Sequence, residues 1–516
     1  MDLNRQRATG NGQRATGNGH FVNRFISNVI LQQNVLSLAL PFCFKHFHCK
    51  SHFATKITAL TAYLKPKPTQ VMSLILLSQW IHVSSANAIL TATSSQVIVG
   101  NAPQVVALSS ADKHGFTVNG VFYSEENGTL KSGEVKEFDG NLTLNDFKVA
   151  TYTPTNLDRV KNYRDIDGDN ADTSQPFKVE STYYWWYDNT GRRITGDDKK
   201  KIIGCGSGFS MPLKLIIETK LKAYSEYGIP KESKSVTLAK TYQIAARTQI
   251  CYAKPNGIIG HPKEQWLSYN SDGSSEEWND KNRTKRHSIH GGGFTSDYVP
   301  DYGFKAKPTI SPKTFPTTGF PGAKFQLVMT GSQSDYRYQI LNNSGERVLI
   351  DDNGMVLLKN KPTGNITIRV TLKRDSTVYH DYTFNPTSVW LLPQADDYMS
   401  WEAAKKRCGG VQNIPSLSMF TNSPQNNIAL NTDWRFISNT FTRAIGGGVF
   451  AEWGYTDKIS YPDSQWGSFI HAKDGKAYYW SSNIHATNAS MFVGDARAGN
   501  VNAYDMQYNH LVACRG

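Results

Sequence analysis

Beyond Ala88 no stretch approaches 18 consecutive apolar residues, so that part of the chain is expected to have no transmembrane helix. Long basic runs are also missing. Of the net charge of +13, residues 1–88 carry +8, from nine Lys/Arg against Asp2 alone. The remaining +5 is spread thinly, apart from Asp197-Asp198-Lys199-Lys200-Lys201 and Lys285-Arg286. A mildly basic surface of this kind argues against nucleic acid as a partner. Cysteine is scarce, with six in 516 residues, and two of them, Cys43 and Cys49, lie before Ala88. No Gly-x-Ser-x-Gly pentapeptide occurs, which removes the turn that presents a serine nucleophile.

What is present begins with an export signal. Lys65-Pro66-Lys67 precedes the apolar run Val71-Met72-Ser73-Leu74-Ile75-Leu76-Leu77, and Ala86-Asn87-Ala88 closes it. A basic segment, a short apolar core and an A-x-A end predict a secretory signal cleaved after Ala88. The leader region, 1–88, is long, and QRATGNG occurs twice in succession, at 6–12 and 13–19. Residues 1–55 read as an over-extended start or a long leader. The apolar patch at 25–44 is broken by Asn28, Gln32, Gln33 and Asn34 and makes a poor membrane span.

At 516 residues the chain exceeds one core, and 12% aromatic residues favour β-rich modules. The expected class is mainly β and multidomain. Residues 89–304 show short alternating runs between Gly, Asn and Asp, such as Thr117-Val118-Asn119-Gly120-Val121-Phe122-Tyr123, and predict a β-rich domain. Within it a helix is expected at about 212–227 and a long exposed loop at 270–290. Residues 305–392 hold five strand-like runs, at 324–329, 335–340, 354–358, 365–372 and 378–384, with tight turns between them. That density suits an immunoglobulin-like sandwich. Residues 393–516 begin with Ser400, a candidate cap for a helix at 401–407, and carry five of the eleven Trp: Trp401, Trp434, Trp453, Trp466 and Trp480.

Four cysteines follow the leader: Cys205, Cys251, Cys408 and Cys514. An even count in an exported chain reads as disulfides rather than buried free thiols. Sequence alone allows three pairings. The modular one, Cys205–Cys251 and Cys408–Cys514, would keep each bridge inside one domain.

Several strings carry a resemblance. The stretch from Ile350 through Asp351-Asp352-Asn353-Gly354, with Gly364-Asn365-Ile366 after it, resembles the bacterial Ig-like domains of surface adhesins. Trp401-x-x-Ala404-x-x-x-Cys408 resembles the first helix of C-type-lectin-like domains. Phe450-Ala451-Glu452-Trp453-Gly454, Tyr479-Trp480-Ser481-Ser482 and the ending His510-Leu511-Val512-Ala513-Cys514-Arg515 resemble the last domain of the enterobacterial invasin and intimin adhesins. In order and spacing the chain after Ala88 resembles the Zir-type secreted exoproteins of that group. The resemblance implies a secreted or surface-associated, virulence-related adhesin. Its C-terminal α+β lectin-like domain would bind a host or bacterial cell-surface protein receptor without catalysis and without a cofactor. The chain departs from invasins and intimins in lacking their N-terminal outer-membrane β-barrel, so it is expected to be released or to depend on a separate barrel as secretion partner. No Arg-Gly-Asp occurs.

Other constellations are weaker. The last domain lacks the Glu-Pro-Asn or Gln-Pro-Asp string of calcium-dependent lectins, and Trp278-Asn279-Asp280 falls in another region. Asp165-Ile166-Asp167-Gly168-Asp169-Asn170 has closely spaced carboxylates, but Asn170 and Pro176 stand where an EF-hand loop needs Gly and Glu, so a solvated turn is expected. The string from His290 to Gly293 reads as a flexible loop, and His287 with His290 lacks a third metal ligand. Residues Tyr183 to Tyr187 read as a core strand with at least two rings inside, in preference to a sugar-stacking platform. Trp453, beside Glu452 and Gly446-Gly447-Gly448, is the expected receptor contact, because Trp dominates many interfaces. No metal site or catalytic residue is expected. The alternative function is a carbohydrate-binding module protein.

Overall fold

The computed structural model describes residues 99–516 except 107, 396, 425–438, 469–476 and 486–489. The export signal, the repeat and Trp434 lie outside the described residues. Residues 93–516 form one compact unit, mainly β, and among the described residues no helix is long and apolar enough to cross a membrane.

The first module is built on a five-stranded sheet. Its strands run in the order Val135–Phe138, Val236–Ala246, Leu213–Ala223, Phe177–Tyr187 and Arg193–Ile194. Leu213–Ala223 is a strand where a helix is expected. Leu213, Leu215, Ile217, Thr219, Leu221 and Ala223 are all buried, a period of two, and each residue from 213 to 221 pairs with Val236–Ala246. The sequence also offers Leu213, Ile216, Ile217 and Leu221 at helical spacing, but ladder pairing decides. The buried face packs Trp186, Leu215, Ile217, Tyr242 and Ile244 against Phe116 and Val118 of a smaller sheet and against Phe147 just before it.

The second module is a sandwich. Its six-stranded sheet joins Tyr298–Val299, Gly303–Lys305, Ile250–Pro255, Ala323–Met329, Met355–Leu358 and Val348–Ile350 in that order, and it faces a sheet of Tyr336–Ile340, Ile366–Leu372 and Tyr379–Phe384. The strand Ile250–Pro255 lies in this sheet, pairing with Ala323–Met329. The boundary expected at 304/305 is therefore crossed, because the backbone donors of 250–255 are satisfied only inside the second module.

The C-terminal module holds the helix Trp401–Arg407, capped by Ser400 as expected, and a sheet of Tyr478–Ile484, Ser490–Asp495 and Val501–Asp505. It shares its core with the second module. Phe315, Phe320, Phe325 and Trp390 pack in one cluster with Phe450, Trp453, Tyr461 and Trp466. Val389–Pro393 also pairs with Thr318–Gly319 on one side and Ala513–Arg515 on the other, so one small sheet spans the 392/393 boundary.

Both disulfides of the modular pairing are present, Cys205–Cys251 and Cys408–Cys514. Only the second lies inside one module, tying the C-cap of Trp401–Arg407 to Ala513–Arg515. The first joins a loop of the first module to Ile250–Pro255, an interior strand of the second module's sheet, beside Thr330.

Candidate functional site

The short helix Val449–Trp453 starts after Gly448 and ends at Gly454, with φ of 90° and 77°. These values favour glycine, and a Cβ at Gly448 would press on the backbone of Phe420 and Thr421. The tight turn drives Glu452 and Trp453 inward. Both are fully buried, at 0% exposure, which corrects the expectation that they form a receptor contact.

Glu452 meets five donors. Its Oε1 accepts from the Thr317 hydroxyl at 2.7 Å and the Gly446 N–H at 2.8 Å, and its Oε2 accepts from the Thr318 hydroxyl at 2.6 Å and the Thr318 N–H at 2.9 Å. The Thr317 N–H lies 3.1 Å from both oxygens. Burial pushes the carboxyl upward from its ordinary pKa, and the bonds from Thr318, Gly446 and Thr317 oppose that shift. Three of the five are backbone N–H groups, which can only donate and so favour the ionised form. The Trp453 Nε1–H donates to the carbonyl and hydroxyl of Thr318, both at 3.1 Å. Arg443, also buried, donates to the carbonyls of Gln265 at 3.0 Å and Glu452 at 2.9 Å and lies 4.8 Å from the Tyr298 ring centroid.

The glycine string also belongs to this joint. Gly291, Gly292 and Gly293 have φ of 78°, 71° and 63°, and a Cβ at Gly291 would collide with the Thr440 carbonyl. The segment runs alongside 439–443: Thr440 N–H donates to His290 O at 2.8 Å, Arg443 N–H to Gly293 O at 3.0 Å, and Thr295 N–H to Arg443 O at 3.0 Å. The expected flexible loop is thus pinned by main-chain bonds, and part of 270–290 is a strand pair, Leu267–Tyr269 with Glu276–Trp278. His287 accepts from the N–H groups of Ile289 and His290, which occupies its Nδ1 lone pair, and His290 Nδ1 contacts Asn439 Oδ1 at 3.0 Å. Neither ring nitrogen engaged there is open to a metal.

The remaining constellations are local. Asp167 receives the backbone and side-chain N–H groups of Asn101, and Asp165 receives the Asp167 N–H, so these carboxylates serve turn donors. Asn279 bonds Gln265 N–H and Pro262 O, and Asp280 pairs with Arg283, which makes Trp278-Asn279-Asp280 a stitched turn. Of the five aromatic residues from 183 to 187 only Trp186 is buried, one ring instead of at least two.

Exposed apolar side chains on the C-terminal module are found elsewhere: Ile484 at the end of Tyr478–Ile484 is 63% exposed and Tyr508 60%. Ile484 pairs with Met491, Met491 with Tyr504, and the Tyr504 and Tyr508 rings are 5.8 Å apart. Sequence reasoning missed Thr317, Thr318 and Arg443. The Thr pair stands 134 or more positions from Glu452, and no local pattern links them.

Comparison with known proteins places a label on the second module. Residues 299–384 match the family model for invasin, domain 4. No curated protein matches the chain. Among solved structures the chain is similar to invasin, described as a bacterial integrin-binding protein, at 14% identity and a TM-score of 0.32 over 66% of this chain and 58% of that one. It is also similar to the C-terminal 282-residue fragment of intimin in complex with the intimin-binding domain of the translocated intimin receptor, at 12% identity and a TM-score of 0.27 over 66% and 86%. A third likeness is to Intimin-190 from enteropathogenic E. coli, at 17% identity and a TM-score of 0.24 over 42% and 92%. The chain spans 58% of the length of that invasin chain. The relation to invasin is carried by residues 299–384.

Proposed function

We propose that the chain is an exported adhesin whose C-terminal module binds a protein on a host or bacterial cell surface. The observation that carries the reading is the invasin domain 4 match at 299–384, in a module whose core runs directly into the disulfide-closed C-terminal module. Invasin is described as integrin-binding and intimin was solved with its receptor's binding domain, so a protein partner is the coarse expectation for this chain. The sequence pattern from Lys65 to Ala88 supports release from the cytoplasm, and a separate outer-membrane barrel would carry or hold the chain.

The contact surface is assigned to Ile484 and Tyr508 in place of Trp453 and Glu452. Ile484 closes the strand Tyr478–Ile484 and Tyr508 stands in the turn after Val501–Asp505, and exposed apolar side chains so placed can anchor a partner. The role is binding, with no catalytic step. The test is cell or receptor binding by the protein beginning at Ile89. Binding should resist free sugars and chelator, and fall when Tyr508 is changed to Ser with the fold intact. Binding abolished by free monosaccharide, or unchanged in Cys514→Ser protein whose C-terminal module has unfolded, would contradict the reading.

A further inference from the structure

The first module carries a second candidate surface, independent of the C-terminal reading. On the outer face of its five-stranded sheet, Tyr183 and Trp185 stand two residues apart on Phe177–Tyr187, with near-parallel rings (25°) and centroids 6.2 Å apart. Tyr183 is 54% exposed and Trp185 is partly buried. Pairing register puts Glu218 opposite Tyr183, Ile216 opposite Trp185 and Lys214 opposite Tyr187. The next strand places Ala239 opposite Glu218 and Thr241 opposite Ile216, both exposed and short. A wall of rings therefore borders a shallow lane of small and hydroxyl side chains.

The charge around the lane is one-sided. Lys214 and Lys220 lie on the same face of the central strand, and Arg193 pairs across from Tyr187. None of the three has an acidic partner within 4.0 Å among the described residues, and the central carboxylate is Glu218 alone. Lys222, further along, is already neutralised by Glu180 and Glu232.

We propose that this face binds an acidic polysaccharide. Aromatic faces stack on the C–H surface of pyranose rings, the threonine hydroxyls can bond sugar hydroxyls, and three unpaired cations complement carboxylates repeated along the polymer. A second protein is a poorer fit, since the apolar centre is limited to Ile216 and the rings of Tyr183, Trp185 and Tyr187, whereas interface cores are broader and depleted in charge.

The test is calorimetric titration of the intact chain with polygalacturonate, its neutral methyl ester and polyglutamate. Binding should favour polygalacturonate, weaken about tenfold or more in Trp185→Ala and in Tyr183→Ala, and weaken similarly for the neutral ester. Lys214→Gln with Lys220→Gln should abolish the preference for the acid over the ester, and Cys514→Ser should leave binding unchanged. Tyr183→Ala guards against misfolding, because its ring is the more exposed, and circular dichroism checks each variant. The proposal is overturned by absence of polygalacturonate binding, by equal affinity for polyglutamate, by full binding in the well-folded Tyr183→Ala protein, or by self-association through this face.

Discussion

The first joint of the molecule is a polar seam under one disulfide, and the second joint is a shared core. Between the first and second modules the links include Cys205–Cys251, main-chain bonds between 204–208 and 329–331, the Arg374–Glu137 ion pair at 3.3 Å, and Asp335, which accepts from the Ser210 hydroxyl at 2.7 Å and the Met211 N–H at 2.8 Å. The apolar clusters on either side stay separate. Between the second and C-terminal modules one cluster runs through, with Glu452 at its polar centre. A seam of the first kind can open without exposing a core, whereas one of the second kind cannot. The C-terminal module is thus expected to unfold with the second module and independently of the first.

Removing Glu452 should have the largest effect. Glu452→Leu leaves four buried donors of Thr317 and Thr318, and the Gly446 N–H, without their acceptor, and a loss of about 5 kcal/mol is expected, at the extreme of single substitutions. Chemical denaturation should show both modules destabilised together; a shift confined to one would break the comparison. Next is the C-terminal bridge, which closes 106 residues; its removal in a Cys408→Ser, Cys514→Ser protein should cost about 4–5 kcal/mol on the chain-entropy account.

Cys205→Ser with Cys251→Ser should cost about 3–4 kcal/mol by the same account, since that bridge spans 46 residues. Its signature is different: small-angle scattering should show a wider distribution of module positions while the second and C-terminal modules melt as before. The expectation that this bridge lies inside one domain is revised accordingly, because its two cysteines lie on opposite sides of the seam.

A smaller effect comes from His510, buried beside Trp480 and Tyr504, where burial lowers its pKa to about 4. Its folded value lies below the unfolded value of 6.5, so the unfolded chain binds the extra proton. Stability is unaffected above pH 6.5 and falls as pH drops from 6.5 to about 4, by about 3 kcal/mol in all. Denaturation across that range should lose much of this slope in His510→Phe, and the slope should appear in the joint transition of the second and C-terminal modules.

Much of the fold is legible in the chain, and the misreadings have particular causes. The strand at 365–372 alternates cleanly, that at 324–329 alternates up to Leu327, and Ser400 before Trp401 marks a helix start that the structure keeps. Residues 213–223 mislead because Ile216, on the exposed face, completes a false helical stripe. Trp453 misleads because exposed and buried Trp look alike in sequence. Its glycine neighbours are turn glycines that fold it inward, and its partner, Thr318, is distant in the chain. The strand at 250–255 is legible as a strand, but its membership in the second module depends on pairing across about 70 residues, which local pattern does not encode.

Hydrogen exchange read by mass spectrometry under native conditions tests the shared core most directly. Amides of Ala323–Met329 and of Ser490–Asp495 should exchange with one common opening free energy, and both should lose protection together in Glu452→Leu protein. Ser490–Asp495 exchanging through a separate, lower-energy opening while Ala323–Met329 stays protected would contradict it.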